Sequence, residues 1–371
     1  MTVDSFFEAI AHQYKNQLPF VVYSRPINSI IKCWLQKTDA LYTTSNFMES
    51  GFVVSPFDLN NDSILFPLDE CEYATVEIQN LKFEDTFKAS EFVDEEKSNH
   101  IDLVSEAIST IKNGNLDKVV LSRTLEKTSN SNDPIIIFKR LFNTYKNAMV
   151  YCWYHPKAGL WLGATPELLF KVEGQQLTTI SLAGTQPYSE TQAPIWTNKE
   201  IQEQQIVTDY IVKQIEPFTS QIHISEVDTV KAGHLLHLKT YVRSLINDNC
   251  NLKSVIKALH PTPAVCGFPK EKAKAFILNH ENYNREYYTG FLGELNLKTS
   301  NTRNTNQKNI ENNAYRTVRT YSNFYVNLRC MQLKDNKTII YVGGGITKDS
   351  IPEKEWEETV NKTKTIVNVL N

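Results

Sequence analysis

None of the six cysteines stands in a Cys-x-x-Cys pair. Cys33, Cys71, Cys152, Cys250, Cys266 and Cys330 are scattered singly along 371 residues. That spacing excludes a zinc knuckle and gives no disulfide framework, so the expectation is reduced thiols in the cytoplasm. No apolar run approaches the ~20 residues that a membrane-spanning helix needs. The opening stretch, MTVDSFFEAIAHQYKN, is too polar and acidic for a secretory signal. Positive charge is not in excess either: 39 Lys and Arg against 42 Asp and Glu leave a net charge of −3. Without a basic footprint there is no electrostatic case for nucleic acid, and an anionic ligand must be held by local groups. The common nucleotide and hydrolase signatures are missing. VGGGIT lacks the Gly-Lys-Ser/Thr of a phosphate loop, and there is no G-x-G-x-x-G opening a helix, no G-x-S-x-G and no H-E-x-x-H.

What is present is ordinary core material, with 41% hydrophobic residues and 22% charged. Residues 1–95 alternate short apolar runs with turn residues and read as strands. Helices are expected over 99–113, 133–146, 198–217, 232–246 and 251–259, and strands over 117–123, 148–156, 159–166, 167–174, 176–184, 221–227, 321–333 and 337–347. The polar stretch 299–313 reads as a loop. A last helix opens at Ser350-Ile-Pro-Glu353 with the pattern of a capping box. Strands outnumber helices and fall in antiparallel-looking pairs, with no repeat and no linker, so the expected class is α+β in one large domain, 1–371.

Several charged residues stand where charge is expensive. In EKEWEETVNK, Glu355, Glu358 and Lys362 share one helical stripe beside an apolar stripe of Trp356, Val360, Val367 and Leu370. A solvated face with a Glu358–Lys362 pair is the plain alternative. Lys118 enters the apolar strand VVL; buried there it would have a depressed pKa and could act as a general base, whereas at a solvated strand end it would not. Glu167 lies between a Pro-containing turn and an apolar LLF, where desolvation would raise its pKa and suit a general acid; a turn-exposed carboxylate is the alternative. Glu200 and Glu203 form a second E-x-x-E pair at the head of the 198–217 helix, where acids also simply complement the helix dipole. Four carboxylates brought together from two helices would need a divalent cation, and hard oxygen ligands suit Mg2+. Gly184 and Thr185 in LAGT, and Gly343 and Gly345 in GGG, are read as turns after strands that expose N–H groups to an anion, or merely as tight turns. Arg329 and Lys362 would add full positive charge.

Taken in order, DKVVLSR, GATPELLF, SLAGTQP, EIQEQQIV, LLHLKT, LHPTPAVCGFP, YYTGFLGEL, YVNLRC, YVGGGIT and EWEETVNK resemble the chorismate-utilising enzymes, and within them isochorismate synthases most. The likeness covers about residues 99–369, leaving 1–98 as N-terminal strands that complete the sandwich. It implies an α/β layered sandwich like that of anthranilate synthase component I, with two facing, mainly antiparallel sheets and outer helices. It further implies that Lys118 activates water for attack at C2 of chorismate and Glu167 protonates the departing C4 hydroxyl. Glu203 and Glu358 would bind Mg2+ directly, and Glu200 and Glu355 through its waters. Gly184, Thr185, Arg329, Gly343, Gly345 and Lys362 would hold the substrate carboxylates, with Tyr325 lining the pocket and His237 near the reacting ring. One departure is Gln204, where many relatives have histidine. Lys118 and LHPTPAVCGFP argue against anthranilate synthase, so no glutaminase subunit is expected. Salicylate synthase, which also expels pyruvate, and a non-catalytic chorismate-binding homologue are the alternatives. The expected product feeds menaquinone or siderophore synthesis, and the expected state is a monomer or weak homodimer.

Overall fold

The computed structural model describes residues 1–78, 80–81, 96–128, 133–189, 194–232, 235–301 and 317–370. Its helices are α1 (Val3–Lys15), α2 (Lys97–Lys112), α3 (Pro134–Thr144), α4 (Asn198–Ile215), α5 (Leu252–Leu259), α6 (Lys270–His280) and α7 (Pro352–Leu370). The early strands are β1 (Phe20–Ser24), β2 (Ile30–Gln36), β3 (Tyr42–Thr44), β4 (Gly51–Ser55), β5 (Ser63–Pro67) and β6 (Cys71–Glu77). The middle of the chain supplies β7 (Lys118–Thr128), β8 (Met149–His155), β9 (Gly159–Thr165), β10 (Leu168–Glu173), β11 (Gln176–Pro187), β12 (Thr219–Ile224), β13 (Asp228–Ala232) and β14 (Leu235–Ile246). The last strands are β15 (Gly267–Phe268), β16 (Phe291–Asn301), β17 (Thr317–Val326), β18 (Cys330–Lys334) and β19 (Lys337–Ile346).

The strands form two sheets. Among the described residues one has nine strands in the order β15-β7-β19-β18-β9-β8-β1-β2-β6, and the other has ten, nine of them in the order β12-β14-β11-β10-β17-β16-β4-β5-β3 and the tenth, β13, beside β14. The pairings that build both sheets are antiparallel. Period-two alternation divides each central strand between two cores. In β8, Met149, Tyr151 and Trp153 face the other sheet, while Val150 and Cys152 pack with Phe6, Phe138 and Ile366 of α1, α3 and α7. The second sheet sends Phe170, Phe291 and Phe324 outward against Ile211 and Ile256 of α4 and α5. Helix, sheet, sheet, helix is therefore the layering: the α+β class read from the pattern and the two-sheet sandwich implied by the resemblance are the fold found.

Local expectations fared unevenly. The strand-rich reading of 1–95 missed α1, whose Thr2 hydroxyl accepts from the Ser5 N–H (3.2 Å) and whose Phe6, Phe7 and Ile10 are buried. Helix α6 was also missed. The helix expected over 232–246 is strand β14, with Leu236, Leu238, Thr240, Val242 and Ser244 buried alternately. Three sheet partners, β11, β12 and β13, hold that segment extended. LAGT and GGG are not turns after strands: both lie inside strands, β11 and β19. Ser350 does not cap the helix with Glu353 as expected: α7 begins at Pro352, and the Ser350 hydroxyl accepts from the Thr347 N–H instead (3.1 Å). Of the expected 299–313 loop, 299–301 belong to β16 and the rest lies outside the described residues.

Candidate active site

Lys118 is the first residue of β7, and the inward alternation of that strand turns it toward the space between the sheets. The neighbouring GGG makes room for it. A Cβ on Gly345 would lie 3.0 Å from Lys118 Cε and 3.6 Å from Nζ, so the lysine side chain lies across that glycine. A Cβ on Gly343 would meet the Leu121 carbonyl at 2.6 Å and the Tyr288 hydroxyl at 3.1 Å. Gly344 faces the other way, toward Glu355 Oε2 and Glu358 Oε1 at 3.5 and 3.9 Å from its Cβ position. Three glycines thus let the lysine, a tyrosine and helix α7 close on one strand.

Glu167 sits at the crossover between β9 of one sheet and β10 of the other, which hangs it in the same space. Its backbone is fixed by the Val326 N–H donating to its carbonyl (2.9 Å), and its own N–H donates to Thr165 Oγ1 (3.3 Å). Burial pushes its carboxyl up to about 7, with Arg329 and Lys118 pulling it back. Burial likewise lowers Lys118, against the attraction of Glu203, Glu167 and Glu358 and with the repulsion of Lys362. Both groups are driven toward their uncharged forms, as a general base and a general acid near neutrality require.

Beside them, a bulge in β11 at Gly184 (φ +66°) breaks the register with β14 and aims the Gly184 carbonyl at His237 Nδ1, 3.1 Å away. A Cβ there would lie 3.2 Å from the Cβ of Glu200, so glycine also lets α4 approach. His237 is lowered by burial, countered by the Gly184 carbonyl and reinforced by Arg329. Arg329 itself is lowered by burial, with Tyr145 and Glu167 opposing. His237, Arg329, Glu167 and Lys118 therefore act on one another in sequence across the cleft. Thr185 pairs with His237 in the β11–β14 ladder, and its side chain lies outside the described residues.

The acids come from helices on opposite outer faces, α7 against the nine-stranded sheet and α4 against the ten-stranded one. Glu358 is 2.6 Å from Lys362, whose Nζ also donates to the Gly343 carbonyl (2.9 Å). The ion pair of the plain reading is thus real, and it is tied to the glycine strand. Glu355 is raised by burial and by Glu358, with Ser350 and Lys362 opposing. Glu200 accepts from the Thr197 N–H (2.8 Å) and closes a capping box at the head of α4. Glu203 is exposed and acts on Lys118 more than any other carboxylate does. Among the described residues no three His, Cys, Asp or Glu side chains already form a metal-holding group. The donor chemistry nevertheless fits Mg2+, which keeps several waters and takes one or two carboxylates from the protein. The Glu355–Glu358 crowding is what such a cation would relieve.

Tyr325 lies on β17 in the space between the sheets. Its hydroxyl accepts from the Asn323 amide (3.3 Å), its ring is buried between the sheets, and the charges acting on it are Arg25 and Glu294. Tyr288 was not singled out in the sequence. It stands against Gly343, is raised mainly by burial, and feels Glu167. YYTGFLGEL carried the only signal for it. Its segment is bolted to β7 by buried Arg285, which donates to the Val120 carbonyl (2.7 Å) and pairs with Glu281, itself accepting from the Ser122 N–H (2.8 Å). A separate cavity of about 250 Å³ is lined by Gly174, Asp248, Cys250, Asn296 and Tyr321, and none of the predicted site residues lines it.

A family model described as chorismate binding enzyme matches residues 67–301, and another of the same description matches 315–368. The chain belongs to the chorismate binding enzyme family. It is 28% identical over 283 residues to isochorismate synthase MenF of Pasteurella multocida, covering 72% of this chain and 60% of that protein. It is 29% identical over 279 residues to isochorismate synthase EntC of Escherichia coli K12, covering 72% and 66%. The match thus spans about three fifths to two thirds of those relatives' lengths. Among solved structures, a putative 2,3-dihydroxybenzoate-specific isochorismate synthase from Bacillus anthracis superposes with a TM-score of 0.74 at 23% identity, over 98% of this chain and 99% of that one. Anthranilate synthase component I from Streptococcus pneumoniae reaches 0.68 at 18% identity, over 94% and 92%. The fold is shared across activities, so the reaction must be argued from the site.

Proposed function

We propose that this chorismate binding enzyme is an isochorismate synthase, converting chorismate to isochorismate. The observation that carries the reading is the pairing of Lys118 and Glu167 across one buried cleft, each pushed by burial toward its neutral form. Neutral Lys118 Nζ takes a proton from water as the water oxygen bonds to C2. Both ring double bonds shift, C1=C2 to C1=C6 and C5=C6 to C4=C5, the C4–O bond breaks, and Glu167 gives its proton to the departing hydroxyl, which leaves as water. One water enters and one leaves, so the step is an isomerisation. Return of a proton from Lys118 to Glu167 resets the pair.

Arg329, beside Glu167, and Lys362, at the Gly343 carbonyl, would bind the substrate carboxylates. Glu203 and Glu358 would hold Mg2+ directly, and Glu200 and Glu355 through water, where the ion would supply positive charge for a carboxylate. Two relatives name the uses to which such a product is put: menaquinone for the Escherichia coli enzyme and vibriobactin for one from Vibrio cholerae. No glutaminase subunit is required, because the proposed nucleophile is water.

Release of isochorismate, rather than further loss of pyruvate, is part of the proposal. The LHPTPAVCGFP segment leads into β15, which pairs with Lys118 through Phe268, and it presents exposed Ala264 where a salicylate synthase tends to carry a hydroxyl. The test is purified protein with chorismate and Mg2+, read by chromatography and by a lactate-dehydrogenase assay for pyruvate. Isochorismate approaching equilibrium without matching pyruvate is expected. Stoichiometric pyruvate with fluorescent salicylate would replace this reading with salicylate synthase, and no turnover would leave a binding protein.

A further inference from the structure

We infer that Gln204 is a positioning residue that sets Glu203 and the head of α4 against the cleft; the inference rests on the magnesium reading above. Gln204 is 2% exposed, and its Nε2 donates both to the Ser181 carbonyl (3.1 Å) and to Thr240 Oγ1 (3.0 Å). Ser181 and Thr240 are directly paired in β11 and β14. Three residues along each strand, in the same direction, lie Gly184 with its bulge and His237. One side chain therefore ties α4 to both strands of the site. One turn further on, Thr208 Oγ1 bonds Ser181 Oγ (3.0 Å) and the Gln204 carbonyl (3.0 Å), which pins the helix against sliding.

The amide is not there for packing alone. Its Oε1 is buried without a partner among the described residues, a costly arrangement that an apolar residue of similar length would avoid. Its two donors are what the site retains. Glu203 is the next residue toward the helix head, is exposed, and is the carboxylate with the largest effect on Lys118. A loosened Gln204 would leave the fold standing and Glu203 misplaced. Loss of such an outer support typically weakens metal affinity about 10–100-fold.

The experiment is Mn2+ titration followed by electron paramagnetic resonance, with circular dichroism and melting as fold controls. Gln204→Leu is expected to keep spectrum and melting temperature and to raise the Mn2+ dissociation constant about tenfold. Thr240→Val, which removes one of the two acceptors from the strand side, should move it the same way by a smaller factor, and it keeps the question open to test if Gln204→Leu does not fold. Gln205→Leu is the control, because Gln205 is exposed and bonds Asp209 (2.7 Å) on the outer face; it should bind Mn2+ like the parent protein. Parent-like affinity in Gln204→Leu or Thr240→Val, with Mn2+ still bound by the parent, overturns the role of Gln204 alone. Absence of Mn2+ binding by the parent overturns the magnesium reading and this inference with it.

Discussion

Replacing Glu167 by glutamine should stabilise the protein at alkaline pH while abolishing turnover. The carboxyl stands at about 7 in the folded chain against an ordinary 4.5, and burial is the cause. A raised carboxyl has the opposite sign from a salt-bridged one: the folded state holds its proton more tightly than the unfolded state does. It costs nothing below about pH 4, costs progressively more between the two values, and reaches its full penalty above pH 7. Each unit is worth about 1.36 kcal/mol, so the full penalty is about 3 kcal/mol. Solvent reaching the partly open side of Glu167 makes that an upper figure. At pH 5 the penalty is under about 1 kcal/mol, so the advantage of Glu167→Gln should grow by about 2 kcal/mol from pH 5 to pH 8. Scaled by the unfolding entropy of a chain this long, that is about 3 °C in melting temperature. Glutamine has nearly the same shape, and among the described residues the Glu167 carboxyl makes no hydrogen bond that it would lose. The assay is equilibrium denaturant unfolding of both proteins at pH 5, 6, 7 and 8 without metal. A stability difference that stays flat with pH, or that favours the parent at pH 8, would refute a desolvated Glu167 and with it the acid role.

Lys118→Ala should lower turnover about 10²–10⁴-fold, the usual cost of a lost general base, with chorismate binding by calorimetry retained. Gly345→Ala should fold and lose about tenfold in turnover, because its Cβ would crowd Lys118 Cε at 3.0 Å, and steady-state kinetics with circular dichroism as fold control would check it. Turnover should stop with a chelator and return with Mg2+, and Glu203→Gln and Glu358→Gln should raise the Mg2+ requirement more than Glu200→Gln or Glu355→Gln. Equal, mild effects at all four would return the acids to solvated helix faces. For Glu200→Gln the melting temperature should barely change, since glutamine also serves a capping box.

Much of this protein could be read from local pattern. The apolar rows of β8, β9 and β10, and the Trp356 and Leu370 ends of the α7 stripe, are written in neighbouring residues, so short-range physics suffices to find them. Where pattern and structure parted, a distant partner had decided. Residues 235–246 carry enough Leu and Lys to read as a helix, yet three strands claim their backbone hydrogen bonds. The glycines of LAGT and GGG look like turn formers, yet their use is to let α4, Lys118 and Tyr288 approach extended strands. Tyr288 could not be picked out in advance, because its approach to Gly343 depends on how the 281–289 segment crosses β19. The residue types of the chemistry, a lysine entering an apolar strand and a glutamate before another, belong to the sequence by itself, as does the pairing of acids at i and i+3 on two helices. Their perturbed protonation does not. Desolvation is set by what covers a group, and the cover over Lys118 and Glu167 is assembled from both sheets, which only the closed sandwich brings together.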